Sequence, residues 1–317
     1  YAESWNGSFK KTTFEAVSYA SQLGKKLDEE VIAVTIANTD DASVLGNYGA
    51  QRVLTISNDS MKTFNNQAYA NAIVNVSLRE GSNTIVVSNT NNGKSITPII
   101  AAKIEAALIT NVLDLPSSVN PFTIKRKTFS SKAYALFSTE KNKKVISITP
   151  NSFGVRETGG SSTTESFEYS PSDSDQRLTS VSIDKAVGKI PLTEAELVVS
   201  AGRGLKGPEN WMMIEELAEV LGAGTACSKP VSDIGWRPHS EHVGQTGIAI
   251  NPELYIAIGI SGAIQHLAGV NASKNIVVIN TDPEAPFFKA ADYGIIGDAF
   301  DVVPKLISAL HEFKSNN

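Results

Sequence analysis

Three short apolar segments near the end of the sequence each give way to small or polar residues. They are residues 254–259, 276–280 and 293–296. Short runs without polar interruption predict strands of a parallel sheet that is covered on both faces. The loops that follow contain Gly, Ser, Asn and Asp, as do loops that bind nucleotides at the carboxyl edge of such a sheet. The pattern therefore predicts a ligand site at one edge of a C-terminal sheet.

The first half of the chain alternates strand and helix patterns. Residues 31–37, 52–56 and 84–88 read as buried strands. Helical patterns cover residues 13–27, 66–80 and 97–107. Strands separated by single helices imply right-handed crossovers, so we expect a parallel sheet. The opening segment YAESWNG is expected to be the tail of a first strand.

The pattern changes after Pro121, where polar and apolar residues alternate. Four segments read as strands with a period of two, namely residues 127–139, 144–149, 167–170 and 178–183. The polar, Gly-containing stretch 157–165 reads as a loop. These segments predict an antiparallel extension of the first sheet.

A second domain is expected to begin just before a strand at residues 197–200. Its helices are predicted over residues 210–221, 261–268 and 301–311. A chain of 317 residues holds about two domains by length alone. We therefore predict an N-terminal domain of residues 1–192 and a C-terminal domain of residues 193–317.

Composition narrows the classes of function. The net charge of -5 argues against a nucleic-acid surface. Cys227 is the only cysteine, which excludes an intrachain disulfide and a cysteine zinc cluster. His239 and His242 form the only close histidine pair and read as part of a solvated loop, because further metal ligands are missing. We expect neither a signal peptide nor a membrane-spanning helix, since no apolar run approaches about 20 residues.

The sequence GRGLKG at residues 202–207 matches G-x-G-x-x-G after a predicted strand. Such glycines let the backbone approach a dinucleotide. A nicotinamide site also needs an acidic residue at the end of the next strand, about 20 residues later. The chain has TACSK at residues 225–229 instead. The fingerprint is incomplete, and a tight strand-to-helix turn is an equal reading.

Two cations and a polar loop are expected at the same edge. Arg203 and Lys229 follow consecutive strands, so both could face one anionic ligand, although each alone is typical of a solvated surface. Residues 244–247 (GQTG) offer an amide, a hydroxyl and close backbone approach, or form a simple turn.

A helix start and two strand ends add further candidates. Ser261 and Gly262 open a predicted helix that carries Gln265 and His266, and such a start can bind an anion. His266 alone is more typical of a satisfied structural histidine than of a ligand-binding one.

Asn280 and Asp298 end two further strands and could hold a ribose hydroxyl or cap the next turn. No carboxylate pair and no nucleophile with a base accompanies these candidates. Donors and cations dominate, which favours binding a redox cofactor over acid–base catalysis.

Four long motifs carry a resemblance to a known family. They are VVSAGRGLKGPENW at 198–211, VGQTG at 243–247, ELYIAIGISGAIQHLAG at 253–269 and INTDPEAPFFKAADYGIIGD at 279–298. Over nearly its whole length the chain resembles the alpha subunit of electron transfer flavoprotein. The resemblance implies an α/β fold. Its N-terminal domain would be adenine-nucleotide-hydrolase-like and bind no nucleotide, and its C-terminal domain would be Rossmann-like (DHS-like) and bind FAD.

The resemblance also implies a set of FAD contacts. They are Arg203, Gly204, Ser228, Lys229, Gln245, Thr246, Gly247, Ser261, Gly262, Gln265, His266, Asn280 and Asp298. Thr246 would place its hydroxyl near flavin N5, and His266 would lie by the C2 carbonyl. Ser228 and Ser261 would serve the pyrophosphate. The adenosine end would be served by Asn280 and Asp298.

Lys229 departs from the family pattern, which has arginine over the flavin at this position. Lysine keeps the positive charge but lacks the planar, weakly hydrated guanidinium. We therefore expect weaker stabilisation of reduced, anionic flavin than in a relative with arginine.

The resemblance implies an electron carrier rather than an enzyme with its own substrate. Its partner would be a beta subunit that holds AMP or a second FAD. Electrons would come from flavin dehydrogenases such as acyl-CoA dehydrogenases and pass to a membrane electron transfer flavoprotein–quinone oxidoreductase. The compartment would be the bacterial cytoplasm or the mitochondrial matrix.

Three alternatives remain open at this point. They are an NAD(P)-dependent oxidoreductase, an electron-bifurcating flavoprotein that uses NADH, and a cofactor-free interaction subunit. A visible spectrum of the protein with its partner separates a flavoprotein from the first and the last. The nucleotide of the beta subunit would identify bifurcation.

Overall fold

The computed structural model describes residues 1–129, 133–178, 180 and 191–316. The chain forms two compact α/β units with the limits Tyr1–Thr128 plus Tyr134–Lys185 and Phe129–Ala133 plus Ala186–Asn317. The domain limits predicted from the sequence, 1–192 and 193–317, stay a prediction. No helix within the described ranges is both long and apolar enough to cross a membrane.

The first unit contains three helices and most of the short strands. In chain order its elements are β1 (Ser4–Trp5), β2 (Ser8–Phe9), α1 (Lys11–Leu27), β3 (Ile32–Ile36), β4 (Arg52–Ile56), α2 (Asn66–Glu80), β5 (Thr84–Ser88), α3 (Asn91–Lys103), β6 (Ala107–Val112), β7 (Ser118–Val119), β8 (Phe122–Thr128), β9 (Ala133–Thr139), β10 (Lys144–Ile148) and β11 (Thr163–Ser166). Short 3-10 helices cover Ala42–Tyr48 and Asp59–Met61.

The strands of the first unit form two main sheets. Strands β11, β4 and β3 are parallel neighbours in one sheet. In the other, β5, β10 and β6 are parallel, and β8 and β7 continue the sheet in antiparallel fashion. Strand β9 pairs with β8. The predicted combination of parallel strands and an antiparallel extension is thus confirmed, although β3 and β4 lie in a different sheet from β5.

Strand β10 corrects one detail of that prediction. It was expected in the antiparallel extension, but it lies between β5 and β6 and is parallel to both. All five of its residues are buried. A strand covered on both faces has no polar face, so its sequence KVISI carries no real alternation.

Other boundaries in this region also differ from the prediction. The segment 127–139 is not one strand, because β8 ends at Thr128 and β9 begins at Ala133. Strand β11 begins at Thr163, inside the predicted loop 157–165, and pairs with β4, whereas residues 167–170 lie outside any strand. Of the predicted strand 178–183, residues 179 and 181–183 lie outside the described residues.

Helix α3 begins six residues earlier than predicted and ends before Ala107. Thr90 explains the early start, since its hydroxyl oxygen accepts a hydrogen bond from the Gly93 nitrogen (3.0 Å) and caps the helix. Pro98 lies inside the helix. At the start of the sequence, the Tyr1 nitrogen donates to the Val86 carbonyl oxygen (2.6 Å) and the Ala2 nitrogen to that of Val34 (2.8 Å).

The second unit is a five-stranded parallel sheet with helices on both faces. Its elements are β12 (Leu197–Ala201), α4 (Met212–Leu221), β13 (Gly224–Cys227), α5 (Lys229–Asp233), β14 (Leu254–Ile258), α6 (Ile264–Val270), β15 (Asn275–Asn280), β16 (Tyr293–Ile296) and α7 (Ala299–Ser315). The strand order is β13-β12-β14-β15-β16, with every pairing parallel. This is a doubly wound, Rossmann-like sheet, as predicted.

Alternate residues of the strands build two apolar layers. Val199 and Ile256 pack with α4 and α7 on one face. Val198 and Tyr255 pack with Val270 and Phe287 on the other. Because both faces are covered, the strand ends and their loops are the part of the sheet left for polar side chains.

Candidate functional site

The strand order creates a topological switch point at the carboxyl edge of the second sheet. The chain runs from β12 to β13 on one side and then returns to β14 on the other side of β12. The loops that follow β12 and β14 therefore leave the sheet in opposite directions. Ligands of open parallel sheets bind at this kind of switch point.

The glycines of the predicted dinucleotide motif pack against the other loop at this point. The Gly202 nitrogen donates to the Ile258 carbonyl oxygen (2.9 Å), and the Gly204 nitrogen donates to that of Gly259 (3.1 Å). A Cβ atom on Gly204 would lie 2.6 Å from the Gly259 Cα, and Gly259 itself has a φ of +60°. These glycines allow two loops to touch, and helix α4 starts only at Met212. The tight-turn reading therefore accounts for the motif better than the nicotinamide reading.

Two cations and a buried hydroxyl lie on the neighbouring loops. Arg203 and Lys229 are exposed, and neither forms an ion pair within the described part of the chain. Ser228 is buried, and its nitrogen donates to the Ala201 carbonyl oxygen (3.1 Å), which fixes the start of α5 beside β12. No acidic residue ends β13, so nothing there would recognise the ribose of NAD.

The loop of residues 244–247 is anchored to α6 by its backbone. The Gln245 nitrogen donates to the Gln265 carbonyl oxygen (2.7 Å). A Cβ atom on Gly247 would collide with the carbonyl oxygen of His242. The side chains of Gln245 and Thr246 are exposed at the tip. The loop therefore presents an amide and a hydroxyl on a fixed backbone.

Residues 261–263 form an extended entry to α6 instead of its first turn, which corrects the predicted start at Ser261. Gly262 has a φ of +80°, and a Cβ atom there would crowd Phe287. The Phe287 nitrogen donates to the Ser261 carbonyl oxygen (3.1 Å). Ser261 and Gln265 are exposed, whereas His266 is buried.

His266 is the most constrained polar side chain of this edge. Its Nε2 lies 2.8 Å from the Tyr255 hydroxyl, and its Nδ1 is buried without a hydrogen-bond partner. Burial lowers the pKa of His266 to about 4, helped by nearby His242 and opposed by the Val243 backbone. The imidazole is therefore neutral at pH 7, and its unpartnered nitrogen can serve a ligand.

The side chains of Asn280 and Asp298 both form hydrogen bonds to other residues of the chain. Asn280 donates to the Ile260 carbonyl oxygen (3.0 Å) and accepts from the Asp282 nitrogen (3.0 Å). Asp298 caps α7 by accepting from the Phe300 nitrogen (3.0 Å) and pairs with Lys206 (3.2 Å). The Phe300 hydrogen bond, and then Lys206, lower the pKa of Asp298. Their assignment to the adenosine end stays a prediction.

Three residues with a part in this edge were missed by sequence reasoning. Tyr255 was missed because its strand is apolar, and the sequence gives no sign that its hydroxyl forms a hydrogen bond with a histidine. His242 was assigned to a solvated loop, but it is 5% exposed and packs beneath Gly247. Lys206 lies inside the glycine motif and carried no signal for its pairing with Asp298. No metal-binding group of acidic, histidine or cysteine side chains occurs among the residues that the structure describes.

The edge as a whole offers donors and positive charge to a long anionic ligand. Its components are the cations Arg203 and Lys229, the exposed polar side chains of Gln245, Thr246 and Ser261, and the buried His266 nitrogen. The set suits a dinucleotide with an electron-accepting ring.

Comparison with known proteins agrees with this chemistry. Residues 1–173 match the family described as "Electron transfer flavoprotein domain", and residues 191–271 match "Electron transfer flavoprotein FAD-binding domain". The chain is 37% identical to "Electron transfer flavoprotein subunit alpha" of Bacillus subtilis, covering 98% of this chain and 95% of that protein.

Two further relatives extend the comparison. The protein of the same name from Syntrophomonas wolfei is 36% identical, with 98% of each chain covered. "Protein FixB" of Clostridium saccharobutylicum is 30% identical over 99% of this chain and 96% of that protein. The chain belongs to the electron transfer flavoprotein alpha subunit family.

Proposed function

We propose that this chain is the FAD-carrying subunit of an electron transfer flavoprotein. The observation that carries the proposal is the coincidence of two results on the same residues. The segment that matches the FAD-binding domain, 191–271, is the one that builds the switch-point edge with its cations, hydroxyls and unpartnered histidine nitrogen.

The residues at this edge fit FAD. Arg203 and Lys229 form no ion pair with any residue that the structure describes, and they suit the negative pyrophosphate or an electron-rich ring. A buried nitrogen without a partner costs about 1–3 kcal/mol, and a ligand atom beside His266 Nδ1 would recover that energy. Bound FAD supplies a ring system that exchanges electrons one at a time.

Each candidate residue then has a definite task. Thr246 would present its hydroxyl to flavin N5, and His266 its Nδ1 to the C2 carbonyl oxygen. Ser228 and Ser261 would hold the pyrophosphate, with Gln245 and Gln265 beside the ring. The glycines of the set, Gly204, Gly247 and Gly262, would allow the backbone to come close. Asn280 and Asp298 would bind the adenosine end in addition to their caps.

The fixed backbone of these loops supports a carrier. Donors that are already in place stabilise negative charge without rearrangement when the ring is reduced. The chain would accept electrons from flavin dehydrogenases such as acyl-CoA dehydrogenases and deliver them to a membrane quinone oxidoreductase.

A beta subunit would complete the site. It would carry AMP in a simple carrier and a second FAD in a bifurcating one, and bacterial cytoplasm would be the compartment. We find no support for the nicotinamide alternative. The backbone of Gly204 packs against Gly259 instead of facing a ligand, and β13 ends without an acidic residue.

The test is to co-express the chain with its beta subunit, record the visible spectrum and extract the nucleotides. We expect flavin bands at one FAD per heterodimer together with AMP, or two FAD for a bifurcating protein. Thr246→Ala should alter the flavin spectrum, whereas the exposed first-unit substitution Thr63→Ala should not. A reconstituted complex that stays colourless would disprove the proposal.

A further inference from the structure

Tyr255 of β14 forms a buried pair with His266 of α6, and the proposed function gives Tyr255 no task. Tyr255 has no exposed surface, and His266 keeps 7%. Their polar atoms, Tyr255 Oη and His266 Nε2, are 2.8 Å apart. Phe287 packs against both rings, with centroid distances of 6.2 Å to Tyr255 and 5.7 Å to His266.

The opposite nitrogen of the imidazole, Nδ1, is buried and has no hydrogen-bond partner by distance and angle among the described residues. The Val243 backbone lies close enough to the ring to raise the pKa of His266. Buried polar atoms in folded proteins are nearly always paired. A ligand atom that reached Nδ1 when the loops at this end of the sheet close on it would supply the missing partner.

The position of one proton decides what Nδ1 can do. Burial keeps both side chains uncharged, because it lowers the pKa of His266 and raises the pKa of Tyr255. A neutral imidazole carries its proton on one nitrogen only. If the phenol donates to Nε2, the imidazole proton must reside on Nδ1.

The reverse arrangement would leave the phenol hydroxyl of Tyr255 without an acceptor for its proton. If Nε2–H donated to the phenol oxygen, the buried phenol proton would need another acceptor. The hydroxyl of Ser200 lies near the phenol but makes no hydrogen bond. Donation from Tyr255 to Nε2 is therefore the arrangement that satisfies the pair.

We propose that Tyr255 is a positioning residue that holds His266 as its Nδ1–H tautomer, so that Nδ1–H donates to the C2 carbonyl oxygen of the flavin. The inference rests on the proposed function for the placement of the flavin beside His266. Negative charge develops at that oxygen when the ring is reduced. A donor fixed in advance binds the reduced ring more strongly than the oxidised ring.

Tyr255→Phe tests the proposal because it removes only the hydroxyl. The flavin-loaded complex is prepared with histidine labelled with ¹³C and ¹⁵N in this chain, which has four histidines, and the tautomer of His266 is read by NMR. The unaltered protein should show Nδ1–H, and Tyr255→Phe should shift His266 towards Nε2–H. Reduced flavin should bind about tenfold less tightly relative to oxidised flavin, which is about 59 mV for a one-electron couple.

Tyr69→Phe is the matched control. Its hydroxyl is also buried and donates to the Met61 carbonyl oxygen at the same distance of 2.8 Å, but it lies in the first unit. That variant should leave both the His266 tautomer and the flavin potential unchanged. Equal potential shifts in the two variants would mean that any lost buried hydroxyl has this effect, and would overturn the proposal.

His266→Gln separates failure of the inference from failure of the proposed function. If His266→Gln changes the potential while Tyr255→Phe changes neither potential nor tautomer, Tyr255 has no positioning role and the flavin assignment stands. If neither variant changes the potential, the flavin is not beside His266 and both proposals fall. An Nε2–H signal in the unaltered protein overturns the inference even if Tyr255→Phe does not fold.

Discussion

The two units treat the polar groups at their sheet edges in opposite ways. In the first unit, the Glu15 carboxylate accepts hydrogen bonds from the backbone nitrogens of Asn151, Phe153 and Gly154, each at 2.8 Å. Glu3 accepts from the side chains of Thr90 (2.6 Å) and Asn92 (2.8 Å) at the start of α3. Acidic side chains of the chain itself thus occupy positions that could have received an anion.

The second unit keeps its corresponding edge open to a ligand. Arg203 and Lys229 lack internal carboxylate partners within the described residues, and Nδ1 of His266 has no partner. The comparison teaches that a shared α/β architecture does not decide where a cofactor binds. What decides it is whether the chain satisfies its own donors.

The largest effect should come from removing the internal anion of the first unit. Glu15 is 3% exposed, so Glu15→Ala removes a buried carboxylate that accepts from one buried and two half-buried backbone nitrogens, those of Asn151, Phe153 and Gly154. We expect a loss of about 4 kcal/mol in the free energy of unfolding of that unit, by urea denaturation. FAD content should stay unchanged in whatever protein remains folded.

Two variants frame that measurement. Glu15→Gln keeps an acceptor oxygen and should be intermediate, and the exposed Glu168→Ala should change stability by less than about 0.5 kcal/mol. A fully stable Glu15→Ala protein would show that the first unit does not depend on its own carboxylate.

The second effect is a pH dependence of the flavin-free second unit. His266 has a pKa of about 4 when folded, below its usual value of about 6.5, so the unfolded chain binds the proton more readily. The contribution of His266 to the free energy of unfolding is therefore fully present above about pH 6.5. About 3 kcal/mol of it is lost as the pH falls towards 4. Urea unfolding at several pH values measures the slope.

His266→Gln should flatten that slope, while substitution of the exposed His239 by Gln should not. Identical slopes for the unaltered protein and His266→Gln would mean that the buried histidine does not control acid stability.

Lys229→Arg should make the edge of the second unit bind reduced flavin more strongly. Arginine can stack on the flavin with its planar guanidinium, and roughly 1 kcal/mol of cation–π stabilisation would favour the reduced ring about fivefold. A redox titration should therefore give a higher flavin potential. Lys305→Arg, an exposed change on α7, is the control. An unchanged titration for Lys229→Arg would count against a place for Lys229 over the ring.

The smallest effect concerns Asp298, the candidate carboxylate that forms an ion pair with Lys206. Lys206 and Asp298 are partly exposed at 66% and 37%, so solvent screens their attraction. Lys206→Ala should lower the free energy of unfolding by less than about 0.5 kcal/mol, because Asp298 still caps α7. Thermal denaturation checks this value. A loss above about 1 kcal/mol would show that the pair matters more than a surface ion pair normally does.

The sequence predicted the architecture well where patterns are local. The strands at residues 52–56, 84–88 and 293–296 have the predicted limits, because apolar runs bounded by polar turns are unambiguous. It failed where partners are distant. The pairing of β10 with β5 and β6 depends on neighbours that its own five residues do not reveal, and β11 is entirely exposed.

The same limit applied to the candidate site. The loops were predicted at one edge, and the parallel order of β12 to β16 brings them there. The roles of the glycines could not be predicted from the sequence. Gly204 lies in a motif that is typical of phosphate binding, but here it contacts Gly259, which is 55 positions further along the chain. The orphaned nitrogen of His266 became visible only with Tyr255 in place.

The contact between Gly204 and Gly259 has a consequence for kinetics. Two loops that meet backbone to backbone have little room to slide or separate when the charge between them changes. The nuclear rearrangement that accompanies each electron should therefore be small on the protein side. Intermolecular transfer would then be governed mainly by the gap to the redox partner and by how long the two proteins stay together.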